Sequence, residues 1–287
     1  MSAPHNPSQQ GNLYIIDAGS GPEWVRQMDM NQLITRQMGG PFPQHHDVSH
    51  ISRVLDLACG PGGWVLDVAF AYPSIEVVGI DISEAVIRYG QSRAKVQRLD
   101  NAYFHIMDLL QPFDIPDDSF DVINARFLSS LLPASCWLAL LQECHRITRP
   151  GGSIYITEME LNLTNGSASG QLFEVYTQAI KLAGYGFSPN RVHLGLTPML
   201  AHFLHEACYQ DITPQAHLID FSTGTKVHEA FSENLRLLYQ LIQPFIIKMG
   251  VATAEELNLL HEQATLEMFA DDFCAWNLLI SVFGTKP

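Results

Sequence analysis

Three aspartates carry the first chemical reading of this sequence: Asp56, Asp81 and Asp108. Each interrupts or ends a short apolar run, Val54–Leu57, Ile75–Ile80 or Ala102–Met107, and such runs suit strands buried on both faces. The first run leads into Ala58-Cys59-Gly60-Pro61-Gly62-Gly63, and Trp64–Tyr72 then reads as a helix. Glycine in a strand-to-helix turn lets backbone approach a ligand, and the helix start behind it offers unpaired N–H groups to a carboxylate or phosphate. An acid about 20 residues past such glycines, at the end of the second strand, is where nucleotide-binding βαβ units hold ribose hydroxyls. Asp81 occupies that position. Gly60, Gly62 and Val65 come close to a dinucleotide fingerprint, but Asp56 precedes the turn where pyrophosphate would lie. A carboxylate there repels phosphate and suits a cationic amine or sulfonium.

The pattern resembles class I S-adenosylmethionine-dependent methyltransferases, in particular the small-molecule group that includes quinone and sterol C-methyltransferases. Their acid-x-Gly-x-Gly-x-Gly motif is matched by Asp56, Ala58, Gly60 and Gly62, with alanine for the first glycine. Phe113-Asp114-Ile115-Pro116-Asp117-Asp118-Ser119-Phe120-Asp121-Val122-Ile123 is similar to their fourth-strand motif, and Arg149-Pro150-Gly151-Gly152 to their turn into the fifth strand. The likeness covers roughly residues 50 to 160. It implies S-adenosyl-L-methionine as cofactor, with Asp81 on the ribose and Asp108 on the adenine amine. Ile82, Met107 and Leu109 would pack on the adenine ring, and Asp56, Asn124 and Arg126 would lie near the methionine end. It also implies a Rossmann-like α/β fold, a seven-stranded, mostly parallel sheet with helices on both faces and a helical cap.

The elements that must position these residues can be read in order. Pro22–Met38 has helical spacing and stops at Gly39-Gly40-Pro41; Tyr14 and the Gln32–Met38 segment are candidates to close over the cofactor, or simply to pack on the sheet. Strands are expected at 51–57, 75–80, 102–107, 120–124 and 153–159, with helices at 63–72, 83–98 and 134–148, Ser83 being an N-cap. Asn162–Gly170 reads as a polar loop. Helices follow over 172–183, 226–248 and 253–270, and another over 197–207, opened by Thr197 with Pro198 at the first helical position. Gln215–Phe221 and Asp272–Phe283 read as the last two strands. The expected division is a cap segment over 1–45, a cofactor-binding core over 46–160, and acceptor-side helices with the last strands over 161–287, all one continuous domain.

Composition narrows the function. Sixteen basic residues against 30 acidic ones give a net charge of −14, which argues against a phosphate-matching nucleic-acid surface. Five scattered cysteines, none in a C-x-x-C pair, fit a reduced, cytoplasmic protein. Twelve histidines include the close pairs His45-His46 and His202/His205 without metal-ligand spacing. No apolar run reaches the ~20 residues needed to span a bilayer. A small, hydrophobic or aromatic acceptor is therefore expected above the strand ends, with Tyr14, Glu158, Tyr185, His193 and His202 as lining residues, in a monomer or a homodimer. No catalytic base and no metal site is assigned. An activated sulfonium methyl needs in-line geometry and a dry site more than acid–base help. Two other readings are a fold of this kind that catalyses a rearrangement or cyclisation instead, and a regulatory module.

Overall fold

The computed structural model describes residues 15–16, 21–42, 48–190 and 193–287. Among them, helices α1 (Gly21–Gln37), α2 (Gly63–Ala71), α3 (Glu84–Gln97), α4 (Trp137–Ile147), α5 (Ser167–Leu182), α6 (Thr197–Glu206), α7 (His228–Lys248) and α8 (Ala254–Met268) surround one sheet. Its strands are β1 (Arg53–Leu57), β2 (Glu76–Asp81), β3 (Ala102–Ile106), β4 (Phe120–Arg126), β5 (Thr148–Thr164), β6 (Gln210–Asp220) and β7 (Ala275–Thr285). Their order is β3-β2-β1-β4-β5-β7-β6, with β1 to β5 paired in parallel and β7 antiparallel to both its neighbours. The Rossmann-like, mostly parallel sheet expected from the sequence is present.

Register places the acids. Asp56 of β1 lies opposite Gly79 of β2 and Asn124 of β4, and Asp81 lies opposite Ile106 of β3. The chain steps outward from β1 to β3 and returns beyond β1 at β4. A crevice therefore opens at the strand C-termini between β1 and β4, the point where ligands enter such sheets.

Alternation along β1 sends Val54 to one face and Leu55 and Leu57 to the other. Val54 packs with Trp64, Val65 and Val68 of α2 and Ile87 of α3; Leu55 and Leu57 pack with Trp137 and Leu140 of α4 and Leu200 of α6. Full burial of each such aliphatic side chain stabilises the fold by roughly 1.5–3 kcal/mol. A third cluster joins Ile34 of α1, Phe173 of α5, Phe231 and Leu235 of α7 and Ala264 of α8 with Leu279 of β7. The N-terminal helix is thus packed into the C-terminal half of the chain.

Three sequence expectations change. Asn162–Gly170 is not a loop: β5 runs to Thr164, where it pairs with Ala275, and α5 begins at Ser167. That helix start is held by Glu267 of α8, whose carboxylate accepts from the N–H of Ala168 at 2.9 Å and of Ser169 at 2.9 Å. Pro198 is not the first residue of α6, which begins at Thr197. A bulge leaves Glu160 out of the β5–β7 ladder, and its carboxylate instead accepts from Gly195 N–H (2.6 Å), Thr197 N–H (3.0 Å) and the Thr197 hydroxyl (2.8 Å). The strand expected over 215–221 starts at Gln210 and contains Pro214, which an edge strand tolerates.

Gly62 is set by packing. Its φ is +87°, and a Cβ there would lie 2.5 Å from Cε1 of Phe104. Gly151 has φ +76° with open space around it. Gly62→Ala is expected to cost about 2–3 kcal/mol and Gly151→Ala about 1 kcal/mol in urea unfolding. Equal costs would show that backbone strain, not the Phe104 contact, fixes Gly62.

Candidate active site

A cavity of about 510 Å³ opens over the C-terminal ends of β1, β2 and β4, within the size range of small-molecule sites. One side is built by the strand ends and turns: Asp56–Pro61, Asp81, Ile82 and Met107–Gln111. Helix α1 forms the roof through Glu23, Trp24, Arg26, Gln27, Met30, Asn31 and Ile34. The far end is walled by Phe127, Leu131, Leu132, Met159, Tyr176, Phe231, Leu235, Leu238, Asn277 and Leu279. A mixed polar and apolar half therefore opens into an almost wholly apolar chamber.

The polar half centres on buried acids. Asp56 is 5% exposed, and its Oδ1 accepts from the Asn124 amide at 2.7 Å. Burial raises its pKa to about 7, against the opposing pull of the Asn124 bond and the Arg126 charge. Arg126 is itself pushed down to about 10 by burial; it donates to the Thr35 hydroxyl at 2.7 Å and to Asn31 Oδ1 at 3.4 Å. The Asp81 carboxylate accepts from Gly60 N–H (3.1 Å) and Ser83 N–H (2.9 Å), which fixes it at the cavity edge. Burial raises its pKa, and those backbone bonds pull the other way. Asp108 accepts from Leu110 N–H at 2.9 Å, a local turn that presents its side chain beside Leu109.

Helix α1 sits directly on the glycine turn. Gln27 Oε1 lies 2.7 Å from where a Gly60 Cβ would be, and Asn31 Cβ lies 3.0 Å from that position of Gly63. The same helix is anchored by the pair Glu23–Arg26, two bonds of 2.7 Å. Arg26 Nη1 also donates to Asn234 Oδ1 of α7 at 2.9 Å, and Asn234 returns a bond to the Arg26 carbonyl at 2.8 Å.

Of the residues singled out from the sequence, Asp56, Ala58, Gly60, Asp81, Ile82, Met107, Asp108, Leu109 and Arg126 meet at the cavity. Gly62 and Asn124 lie behind it, Gly62 against Phe104 and Asn124 holding Asp56. The acceptor-side candidates are elsewhere. Glu158 is fully buried, and its carboxylate accepts from Leu128 N–H at 2.6 Å and Ser129 N–H at 3.3 Å. His193 is bound to Glu160 at 3.0 Å, Tyr185 is packed into the helical core, and His202 is exposed on α6 beside Glu206. Tyr14 and His45-His46 lie outside the described residues. The α1 face turned to the cavity runs from Glu23 to Ile34, so the expected Gln32–Met38 segment reaches it at Ile34. Its spacing was visible in the sequence, but the Arg26–Asn234 link that orients it joins residues far apart in the chain.

The Methyltransferase domain family matches residues 54–152. The chain is 36% identical to a demethylmenaquinone methyltransferase of Geobacillus kaustophilus over 102 residues, 35% of this chain and 42% of that one. It is 31% identical to one of Lysinibacillus sphaericus over 157 residues, 53% and 64% of the two chains. The chain thus spans between 42% and 64% of the length of these curated relatives. Its fold resembles phosphoethanolamine N-methyltransferase 2 of Haemonchus contortus in complex with S-adenosyl-L-methionine, at TM-score 0.54 and 18% identity, over 93% of this chain and 57% of that one. Residues 54–152 thus match a methyltransferase domain, set in a fold shared with a methyltransferase. The cavity beside it holds a buried carboxylate at Asp56 that lacks a full countercharge, and apolar Ile82 and Leu109 flank the acids at Asp81 and Asp108.

The buried acids make stability depend on pH. Asp56 is raised from 3.8 to about 7 and Glu158 from 4.5 to about 8, both by burial. A carboxyl raised on folding stabilises the protein while protonated, and that contribution is lost as pH climbs through the folded value. His145 and His217, lowered by burial, act oppositely only below their ordinary 6.5. The ligand-free melting midpoint should therefore fall by about 3–6 °C between about pH 6.5 and about pH 8. Glu158→Gln, which keeps an acceptor but cannot ionise, should flatten that fall, and a midpoint rising across the window would contradict the assignment.

Proposed function

We propose that this protein transfers a methyl group from S-adenosylmethionine to a small, uncharged, largely apolar or aromatic acceptor. The observation that carries the reading is the continuity of the cavity, which runs from the acids at the strand ends into an apolar chamber roofed by α1 and α7. Bound S-adenosylmethionine supplies a sulfonium methyl whose leaving group is a neutral thioether, so the site needs no general acid. Asp81 takes the ribose hydroxyls, Asp108 the adenine amine, and Ile82, Met107 and Leu109 the adenine faces. Ala58 and Gly60 bring backbone close to the ligand. Asp56 and Arg126 hold the methionine end, with Asn124 fixing the Asp56 carboxylate.

The chain's own contribution to rate is orientation and exclusion of water. Reacting groups held in line gain most of their acceleration from proximity, and the apolar chamber removes solvent around them. Glu158, His193 and Tyr185 take no part, because their polar atoms or rings are committed elsewhere. The relatives are named demethylmenaquinone methyltransferases, after a quinone, which agrees with a chamber of this composition.

Incubation with S-adenosylmethionine and a set of phenols, quinols and isoprenoid alcohols should release S-adenosylhomocysteine together with a product heavier by one methyl group. Phosphoethanolamine or glycine should give neither. Turnover confined to the charged acceptors would contradict the reading, and conversion of an apolar compound without S-adenosylhomocysteine release would favour a rearranging enzyme.

A further inference from the structure

The acceptor chamber holds two polar groups whose hydrogen-bonding capacity the protein leaves unused. Tyr176 of α5 lines the cavity and is 7% exposed. Its hydroxyl makes no hydrogen bond with a described residue, and it is not among the polar atoms sealed inside the protein. Asn277 of β7, 1% exposed, also lines the cavity, and its amide donates only to Met159 Sδ at 3.1 Å, a weak acceptor. Directly across the ladder, Asn162 leaves its buried Oδ1 without a partner. Buried polar groups are normally satisfied because leaving them unpaired costs stability. Two of them retained in the wall of a ligand cavity point to a ligand that completes them.

The chamber also limits the charge of that ligand. The surrounding wall is apolar, with Met30, Phe127, Leu235 and Leu279 among its residues. In the roof, Glu23 and Arg26 pair with each other, and Arg26 is tied to Asn234. A charged acceptor would be desolvated there without a countercharge. Burial also raises the Tyr176 phenol, so it remains a neutral donor.

We propose that the Tyr176 hydroxyl, with the Asn277 amide, reads a hydrogen-bonding oxygen on an uncharged and otherwise apolar acceptor, and thereby sets acceptor specificity. This rests on the methyl-transfer reading and names what the acceptor must carry. Both groups act as positioning residues. A pocket built to pair a ligand oxygen rejects the analogue that lacks it far more strongly than an apolar wall rejects a small change in size.

The test is calorimetric binding of 1-naphthol and of naphthalene in the presence of S-adenosylhomocysteine. The wild type is expected to prefer 1-naphthol by about tenfold or more, and Tyr176→Phe to bring the ratio to about twofold or less. Asn277→Leu should lower it in the same direction, while affinity for S-adenosylhomocysteine stays within about twofold of wild type in both variants. Urea unfolding separates this role from a structural one. Tyr176→Phe should match or exceed the wild-type midpoint, since the hydroxyl has no protein partner to lose. Equal binding of the two probes by the wild type, binding of neither, an unchanged ratio in Tyr176→Phe, or a destabilised Tyr176→Phe each overturns the proposal. If the wild type fails to bind S-adenosylhomocysteine, the methyl-transfer reading falls, while the probe ratio in the ligand-free protein still decides this one.

Discussion

Much of the site depends on carboxylates buried at the ends of apolar strands. The parallel register of β1 with β2 and β4 brings Asp56 and Asp81 to one crevice, where burial raises both and the Asp81 charge raises Asp56 further. An uncompensated charge in such a place is expensive. The protein offsets it locally: Asn124 pairs with Asp56, two backbone N–H groups pair with Asp81, and Arg126 lies within electrostatic reach of Asp56. The offset is incomplete for Asp56, whose pKa stays near 7. Under the proposed function, the ligand's sulfonium and amine supply the remaining charge.

The same crevice dictates the turn that follows β1. Glycines there are needed less for ligand approach than the local sequence suggests. Gly62 yields its side-chain space to Phe104, and Gly60 and Gly63 yield theirs to Gln27 and Asn31 of α1. The turn is therefore also the docking surface for the roof, and α1 is tied in turn to α7 by the Arg26–Asn234 bonds. The polar and apolar halves of the cavity share one helix, so a change in the roof should be felt at both ends.

What the sequence made legible follows from how local each signal is. Strand, glycine turn and acid recur within short windows, so β1, β2, β3 and the acids at their ends could be placed from spacing alone. The acceptor side could not. Glu158, His193, Tyr185 and His202 were chosen for residue type, but the structure commits Glu158 to the N–H groups of Leu128 and Ser129, and His193 to Glu160. Those partners depend on a bulge in β5 and on loops packed from elsewhere. The serine- and glycine-rich start of α5 looked like a loop because its cap, Glu267, comes from another helix. Tyr176 and Asn277 carried no local mark at all: one sits in an amphipathic helix, the other in an apolar strand.

The strand-end acids are the proposed holders of S-adenosylmethionine. The most direct measurement is a calorimetric titration of the protein with S-adenosylmethionine and S-adenosylhomocysteine, beside Asp81→Ala. Removing a carboxylate that pairs with ribose hydroxyls should weaken both by more than about tenfold, a loss of about 1.4 kcal/mol or more. Tight binding by the wild type and its loss in the variant is the predicted result. No binding to the wild type, or equal affinity in Asp81→Ala, would contradict it.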